Sequence, residues 1–220
     1  MQKSLKASIP LILPFATWMA LMFALPSTAA AYAARSAATL AVGLVCLAMR
    51  RRFILPSHNC GDGVRTSLVL SVPTGIAAGA AICALWIVLP AWPFPEPVAP
   101  SPSPYAPEVC GWPLTIAKLV GSAFIIAPAE ELFFRSFLYR RLISRDITSV
   151  PLSQFDLSAF LWTVLLFTLE HDRPLAAALT GAVYGLLAIR LGIGSAISAH
   201  VTTNLLLAIH VIYRNAWQFW

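Results

Sequence analysis

The sequence predicts an all-α, polytopic membrane protein, a bundle of about seven transmembrane helices. Hydrophobic residues make up 59% of the 220 residues, charged residues make up only 11%, and the mean hydropathy is +0.77. Soluble domains carry about 25% charged residues, so this chain has too few of them to cover its surface against water. Its apolar residues also fall in runs of about 20, the length a helix needs to cross a bilayer.

Seven apolar segments carry this prediction. We expect the spans at residues 9–28, 31–49, 67–92, 113–139, 157–171, 174–190 and 193–213. The first two are joined tightly at Pro26-Ser27, and the short fifth and sixth meet at the sequence His171-Asp172-Arg173-Pro174. Prolines within the spans are acceptable, because neighbouring helices can satisfy the backbone carbonyls that they leave free.

A proline-rich stretch divides the chain into two groups of spans. Residues 90–113 contain nine prolines, two glutamates and no lysine or arginine. Such a composition favours an extended, polyproline-like segment over a helix. We therefore expect N-terminal spans in residues 1–92, an extracytoplasmic loop at 93–112, a C-terminal core of spans at 113–215 and an interfacial C-terminal tail at 216–220.

Basic residues predict the orientation of the chain. They flank the apolar runs and fall on one side of a seven-span arrangement, at Lys3, Lys6, Arg50 to Arg52, Arg65, Arg140, Arg141, Arg145 and Arg190. The positive-inside rule places this side, and with it the N-terminus, in the cytoplasm. Nucleic acid is not an expected partner, because binding it would require a basic patch on a soluble face. The expected partner is the lipid bilayer.

The N-terminal segment has a second interpretation. Lys3 and Lys6, an apolar run and the small residues after Pro26 resemble a cleavable signal peptide over residues 1–30. The apolar run is long for that role and a second span comes directly after it, so we favour a retained span.

Glu130, Glu131, His171 and His200 are ionisable residues that lie inside apolar segments. A charge near the bilayer centre costs about 2.5 to 3.5 kcal/mol on insertion scales, so such residues normally face a bundle interior or a cavity. Residues four apart share a helix face, so Glu131 and Arg135 can form an ion pair. Glu130 points about 100° away and is free to face a cavity. A purely structural clamp would explain Glu131 and Arg135 but not Glu130.

Two further pairs have the same spacing of four. Phe167 can pack against His171, while His200 and Asn204 project together from the last span. Taken singly, His171 would be an interfacial residue and the His200–Asn204 pair a hydrogen bond between helices, worth about 0.6 to 2 kcal/mol. Acids and imidazoles on three segments are also the usual components of metal-assisted hydrolysis.

An acid pair with an arginine, then Phe-x-x-x-His, then His-x-x-x-Asn, on successive membrane segments resembles the CAAX-protease and bacteriocin-processing (CPBP, or Abi) family of intramembrane endopeptidases. The resemblance covers about residues 112–215 and includes the segment Tyr184-Gly-Leu-Leu-Ala-Ile-Arg190-Leu-Gly. It implies a cone of helices that opens toward the cytoplasmic leaflet. Its implied catalytic residues are Glu130, His171, His200 and Asn204, supported by Glu131, Arg135 and Phe167.

The resemblance implies that Glu130 and His171 activate a water, and that His200 and Asn204 bind the oxyanion. It leaves open a metal-dependent mechanism, with a divalent metal such as Zn²⁺ held by Glu130, His171 and His200. The stretch Val150 to Phe155 and both ends of the chain resemble the exosortase-associated, "CAAX prenyl protease-related" subgroup.

The subgroup implies a multi-pass protein of a bacterial-type inner or plasma membrane. It also implies a protein or peptide substrate, anchored in the membrane, and association with a sorting or export system. Two alternatives stay open. The first is a catalytically silent scaffold or immunity-type protein that keeps the polar cluster for helix packing. The second is a proton-coupled transporter, against which the sequence shows no pair of broken helices in repeated halves.

Overall fold

The structure, a computed structural model, describes residues 2–53, 68–96, 98 and 102–220. Arg65 and part of the proline-rich loop lie outside this range. The described residues form helices and no strand.

Eight helices account for most of the described chain. They are α1 (Gln2–Ala24), α2 (Ala29–Phe53), α3 (Leu68–Val88), the short α4 (Pro107–Cys110), α5 (Trp112–Ile143), α6 (Leu157–Leu169), α7 (Pro174–Leu191) and α8 (Ile193–Arg214). Short 3-10 turns lie at Ile147–Ser149 and Trp217–Phe219.

The helical membrane bundle predicted from composition is confirmed, but the number of spans differs. Six described helices are long and apolar enough to cross a bilayer. The predicted fifth span is wrong in length, because α6 has only 13 residues. At about 1.5 Å per residue it covers about 20 Å, less than the roughly 30 Å of the hydrocarbon core. His171 therefore lies in the turn after α6 and not inside a helix.

The long helix α5 is irregular at its centre. Two π-helical segments, Gly121–Ile126 and Leu132–Leu138, flank a short α-helical stretch that contains Pro128 and both glutamates. Proline has no N–H to donate to the carbonyl four residues earlier. Segments of π-helix are rare and often lie at functional sites, because each adds a residue and rotates the helical residues beyond it.

Helices α3 and α8 run parallel and approach closely through glycines. A Cβ on Gly75 would lie 2.4 Å from the Ser195 carbonyl oxygen, and a Cβ on Gly79 would lie 2.3 Å from that of Ala199. Small residues at such points let two membrane helices pack backbone to backbone. The contact sets the position of α8, and therefore of His200, the residue after Ala199.

We expect Gly79→Ala to lower the unfolding free energy by about 1 to 3 kcal/mol, because its methyl group would force α3 and α8 apart. The measurement is thermal unfolding of the detergent-solubilised protein. Gly43→Ala in α2 is the control, since a Cβ there meets nothing within 4 Å and alanine is the better helix former. Equal melting temperatures for Gly79→Ala and the wild type would contradict the close packing of these helices.

Aromatic rings link α1, α5 and α6. The Phe15 ring of α1 contacts Phe133 and Phe134 of α5, with centroid distances of 4.7 and 5.7 Å. Phe134 in turn meets Phe167 of α6 edge to face at 5.4 Å. Phe134 and Phe167 are almost fully buried, so this chain of rings determines where the end of α6, and with it His171, lies.

Candidate active site

A cavity of about 200 Å³ lies within the bundle and is called the polar cavity below. It brings together residues that are far apart in sequence, among them Glu130 of α5, His171 after α6, and both His200 and Asn204 of α8. The four side chains that the sequence singled out as chemical therefore line one cavity.

Glu131 lies beneath this cavity and is fully buried. One carboxylate oxygen, Oε2, lies 3.3 Å from Arg135 Nε, an ion pair without hydrogen-bond geometry. The other, Oε1, lies 3.0 Å from Nδ1 of His200. The ion pair expected from the spacing of four is confirmed. The structure adds that Glu131 also holds the imidazole on α8, which sequence spacing could not show.

Arg135 is held from three directions. Besides Glu131, its Nη2 donates to the Gly181 carbonyl at 3.4 Å, and its guanidinium lies 4.6 Å from the centroid of Phe167. Because Gly181 belongs to α7 and Phe167 to α6, this one buried side chain connects three helices.

Glu130 lies beside His200, its expected partner in the cavity. Its Oε2 lies 3.7 Å from His200 Nε2, too far for a direct hydrogen bond. A carboxylate accepts and does not donate, so the contact with Glu131 requires a proton on His200 Nδ1. The opposite ring atom, Nε2, is then the one that faces Glu130 and the polar cavity.

His171 is fixed in a similar way. Its Nδ1 lies 2.7 Å from the Phe167 carbonyl oxygen, which can only accept, so Nδ1 carries the proton and Nε2 is left for chemistry. The Phe167 ring packs on His171 with a centroid distance of 4.5 Å, which confirms the predicted contact, and it meets His200 at 6.1 Å. One ring therefore supports both imidazoles.

Asn204 lies one helical turn beyond His200 on the same face. Its Nδ2 donates to the Ser122 carbonyl at 3.0 Å, in the first π segment of α5. An amide nitrogen has two hydrogens, so this bond orients the side chain and leaves one N–H for the cavity.

Sequence reasoning missed several residues that build the site. The Tyr184 ring lies 5.1 Å from His200, and its hydroxyl donates to Thr203 at 2.6 Å. Thr203 donates in turn to the Gly79 carbonyl at 2.8 Å. Trp86 of α3 lines the cavity, lies 5.6 Å from the His171 ring and donates to Thr180 at 2.8 Å. Of these residues, only Tyr184 had a signal in the sequence, because it begins the segment that resembles the CPBP family.

The polar cavity extends toward one end of the bundle. Its walls include Trp86 in the last turn of α3, Lys118 in the second turn of α5, and the C-terminal Phe219 and Trp220. We call this the proline-loop end, because the proline-rich segment joins α3 to α5 there. Arg140, Arg141 and Arg190 lie at the far ends of α5 and α7, the basic end.

This position means that two of the expectations from the sequence cannot both hold. If the basic end is cytoplasmic, as the positive-inside rule predicts, the cavity cannot also open toward the cytoplasmic leaflet, as the resemblance implied. An ion pair between Arg173 and Glu96, together with a bond from Arg173 to the Leu89 carbonyl at 2.7 Å, ties the proline-rich segment beside the cavity.

The donor types suit a metal such as Zn²⁺, which binds imidazole and carboxylate. In this arrangement of the residues that the structure describes, no three His, Cys, Asp or Glu side chains are grouped to hold one ion. Glu130 and His200 are adjacent, but His171 does not complete a three-ligand set with them.

These features describe a multi-pass helical membrane protein with an acid–imidazole cluster inside its bundle. The family model described as Rce1-like, type II CAAX prenyl endopeptidase Rce1-like, matches residues 112–206. This range, 95 of the 220 residues, contains every residue of the predicted site, and the match agrees with the resemblance to the CPBP family. No curated protein and no solved structure matches the chain.

Proposed function

We propose that this protein is an intramembrane endopeptidase that hydrolyses a peptide bond with a water activated by Glu130. The observation that carries the proposal is the grouping of Glu130, His200 and Asn204 on one cavity, with the His200 ring held by Glu131 at 3.0 Å. A cluster kept only for helix packing has no need of a cavity beside it.

The proposed reaction runs in two steps. Glu130 takes a proton from water while the water oxygen bonds to the carbonyl carbon, which gives a tetrahedral oxyanion. The free N–H of Asn204, and Nε2 of His200 when it carries a proton, donate to that oxyanion. The C–N bond then breaks, and Glu130 returns its proton to the leaving amine. His171, at the mouth of the cavity, orients the water or the substrate through Nε2.

The site is proposed to face away from the cytoplasm. The positive-inside rule applied to the basic end makes the proline-loop end extracytoplasmic, and the polar cavity lies toward that end. The substrate is then an exported, membrane-anchored protein, in agreement with the exosortase-associated subgroup and a sorting system. A C-terminal alkaline phosphatase fusion is expected to be active and a C-terminal GFP fusion dark. The opposite pattern would overturn this orientation.

The test of the activity is cleavage of membrane-anchored peptides by the purified protein in liposomes. A catalytically silent scaffold would cleave none of them at any protein concentration. A protease would produce fragments whose masses identify the bond that is broken.

Asn204→Ala is expected to lower kcat by about 10²- to 10³-fold with little change in KM, because the donor acts on charge that develops only in the transition state. Thr202→Ala is the control on the same helix, since its hydroxyl donates to the Ser198 carbonyl of its own helix. A rise in KM with unchanged kcat would assign Asn204 to substrate binding instead.

A divalent metal at Glu130, His171 and His200 stays a prediction, and no step above depends on it. Elemental analysis of purified wild type and His171→Ala would test it. Equal metal content in both would remove His171 from the ligand set.

A further inference from the structure

Lys118 is a second unusual feature of the polar cavity. It lies in the second turn of α5, and its side chain lines the cavity that holds Glu130. The chain has three lysines, and the other two, Lys3 and Lys6, precede the first apolar run. A lysine inside a span needs a physical reason, because a charge there is costly.

Aromatic rings surround the Lys118 ammonium. Its Nζ lies 3.9 Å from the ring centroid of Tyr32 and 4.7 Å from that of Tyr105. The Trp220 ring, at the C-terminus, lies 5.9 Å away. Such rings attract a cation through their quadrupoles, but they carry no charge that would neutralise it.

A second cation lies on the same aromatic cluster. Arg35 of α2 is buried, and its guanidinium lies 5.6 Å from the Tyr32 ring and 5.2 Å from Trp18. In the described part of the chain, neither Arg35 nor Lys118 forms an ion pair with a carboxylate. Among the described residues, these two cations therefore have no carboxylate within ion-pair distance, and a bound anion would stabilise them in an apolar bundle.

The first π segment brings Lys118 to the same face of α5 as Glu130, the proposed catalytic acid. Twelve residues separate Lys118 from Glu130, which in a regular α-helix would put them about 120° apart. The π segment Gly121–Ile126 lies between them and adds one residue to the turn count. Without the added residue, the spacing counts as eleven α-helical residues, a rotation of about 1,100° around the helix axis. This is within about 20° of three full turns, so both side chains face the same cavity.

The close approach of α2 supports this arrangement. A Cβ on Gly121 would lie 2.4 Å from Ser36 Oγ and 2.8 Å from the Tyr32 ring. Only glycine at this position lets α2 bring Tyr32 and Arg35 against α5 beside Lys118.

We propose that Lys118, backed by Arg35, binds a carboxylate of the peptide substrate, foremost its free C-terminal carboxylate. The proposal rests on the proposed proteolytic function, because it places this carboxylate and the scissile bond in one cavity. The Cα atoms of Lys118 and Glu130 are about 18 Å apart along the helix axis, at 1.5 Å per residue. An extended peptide advances about 3.3 Å per residue, so the carboxylate lies about five residues from the bond that is cleaved. Lys118 is therefore a specificity residue for short C-terminal segments.

A binding experiment tests the subsite without requiring turnover. Full-length Glu130→Gln protein in phosphatidylcholine nanodiscs is titrated with a pool of N-acetylated apolar hexapeptides, prepared as C-terminal acids and as C-terminal amides. We expect the acids to bind about 10- to 100-fold more tightly, the range for a charge-assisted hydrogen bond in a dry site. A third pool, amidated but with one glutamate, separates a side-chain carboxylate from a terminal one.

Lys118 variants assign the preference to this residue. Lys118→Met should reduce the acid-to-amide ratio to within about threefold, Lys118→Arg should retain it, and Lys6→Met should leave it unchanged. Equal binding of all three pools by the Glu130→Gln protein would overturn the carboxylate subsite even if no Lys118 variant folds. Cleavage without any acid preference would leave the proteolytic function standing and remove the subsite alone.

A lipid headgroup is the competing anion. The comparison is made in nanodiscs that contain phosphatidylglycerol. If Lys118 binds lipid, Lys118→Met would lower the amount of bound phosphatidylglycerol and leave the acid-to-amide binding ratio of the peptides unchanged. That result would overturn the proposal and assign the two cations to the membrane.

Discussion

Glu130→Gln is expected to lower kcat by about 10²- to 10⁴-fold, the usual contribution of a positioned general base. Glutamine has the size and shape of glutamate, but its amide cannot accept the proton of the attacking water. The fold should be retained, because Glu130 is partly exposed to the cavity and its one close charged neighbour, His200, is 3.7 Å away. The measurement is the single-turnover rate of peptide cleavage in liposomes.

Glu170→Gln is the matched control. Glu170 is an exposed acid at the end of α6 and does not line the cavity, so its replacement makes the same chemical change outside the proposed site. Wild-type rates for Glu130→Gln would remove this residue as the base. A loss of activity in Glu170→Gln equal to that in Glu130→Gln would point to the total charge at this end of the bundle.

His200 should be the second residue of large effect. We expect His200→Gln to lower kcat by about 10²- to 10³-fold, because it removes Nε2, the ring atom that faces Glu130 and the cavity. Glutamine can still donate to Glu131 Oε1, so the buried carboxylate keeps a partner and the melting temperature should change little. His200→Ala would lose that bond and unfold more readily, since Glu131 Oε1 would then be a buried acceptor without a donor.

His210→Gln on the same helix is the control, because His210 contacts the Phe219 ring and lies outside the acid cluster. The double variant Glu130→Gln/His200→Gln should be little slower than either single variant, since residues that act as a unit are not additive. Fully multiplicative losses would show that the two side chains act in separate steps.

The span prediction succeeded because the bilayer restricts the chain strongly. Only helices satisfy all backbone groups in hydrocarbon, so runs of apolar residues locate them with few alternatives. The error concerned α6: the sequence continues apolar to Leu169, but its 13 residues cannot cross the core alone. A high hydropathy indicates that a segment lies in apolar surroundings, but it does not distinguish lipid from the protein interior.

The pairs at spacing four were predictable because the local path of the chain alone determines them. Glu131 with Arg135 and Phe167 with His171 needed no knowledge of other helices. The bond between Glu131 and His200 could not be predicted in this way, since it joins α5 to α8 across 69 residues of sequence. Lys118 carried a signal in the sequence, a lysine within the predicted 113–139 span and 12 positions from the next charged residue, but its aromatic surroundings come from α2 and the loop.

Composition and periodicity alone establish that this is a helical membrane protein. They also identify the acids and imidazoles whose free-energy cost in lipid is so high that a role is expected for them. The bilayer and the helix repeat are enough for that, because both act on neighbouring residues. Three facts required the three-dimensional arrangement: Glu131 holds His200, the cavity lies toward the proline-loop end, and Lys118 faces that cavity. They depend on close helix contacts at Gly79 and Gly121 and on a change of helical phase in α5, which side-chain size and packing between distant segments determine together.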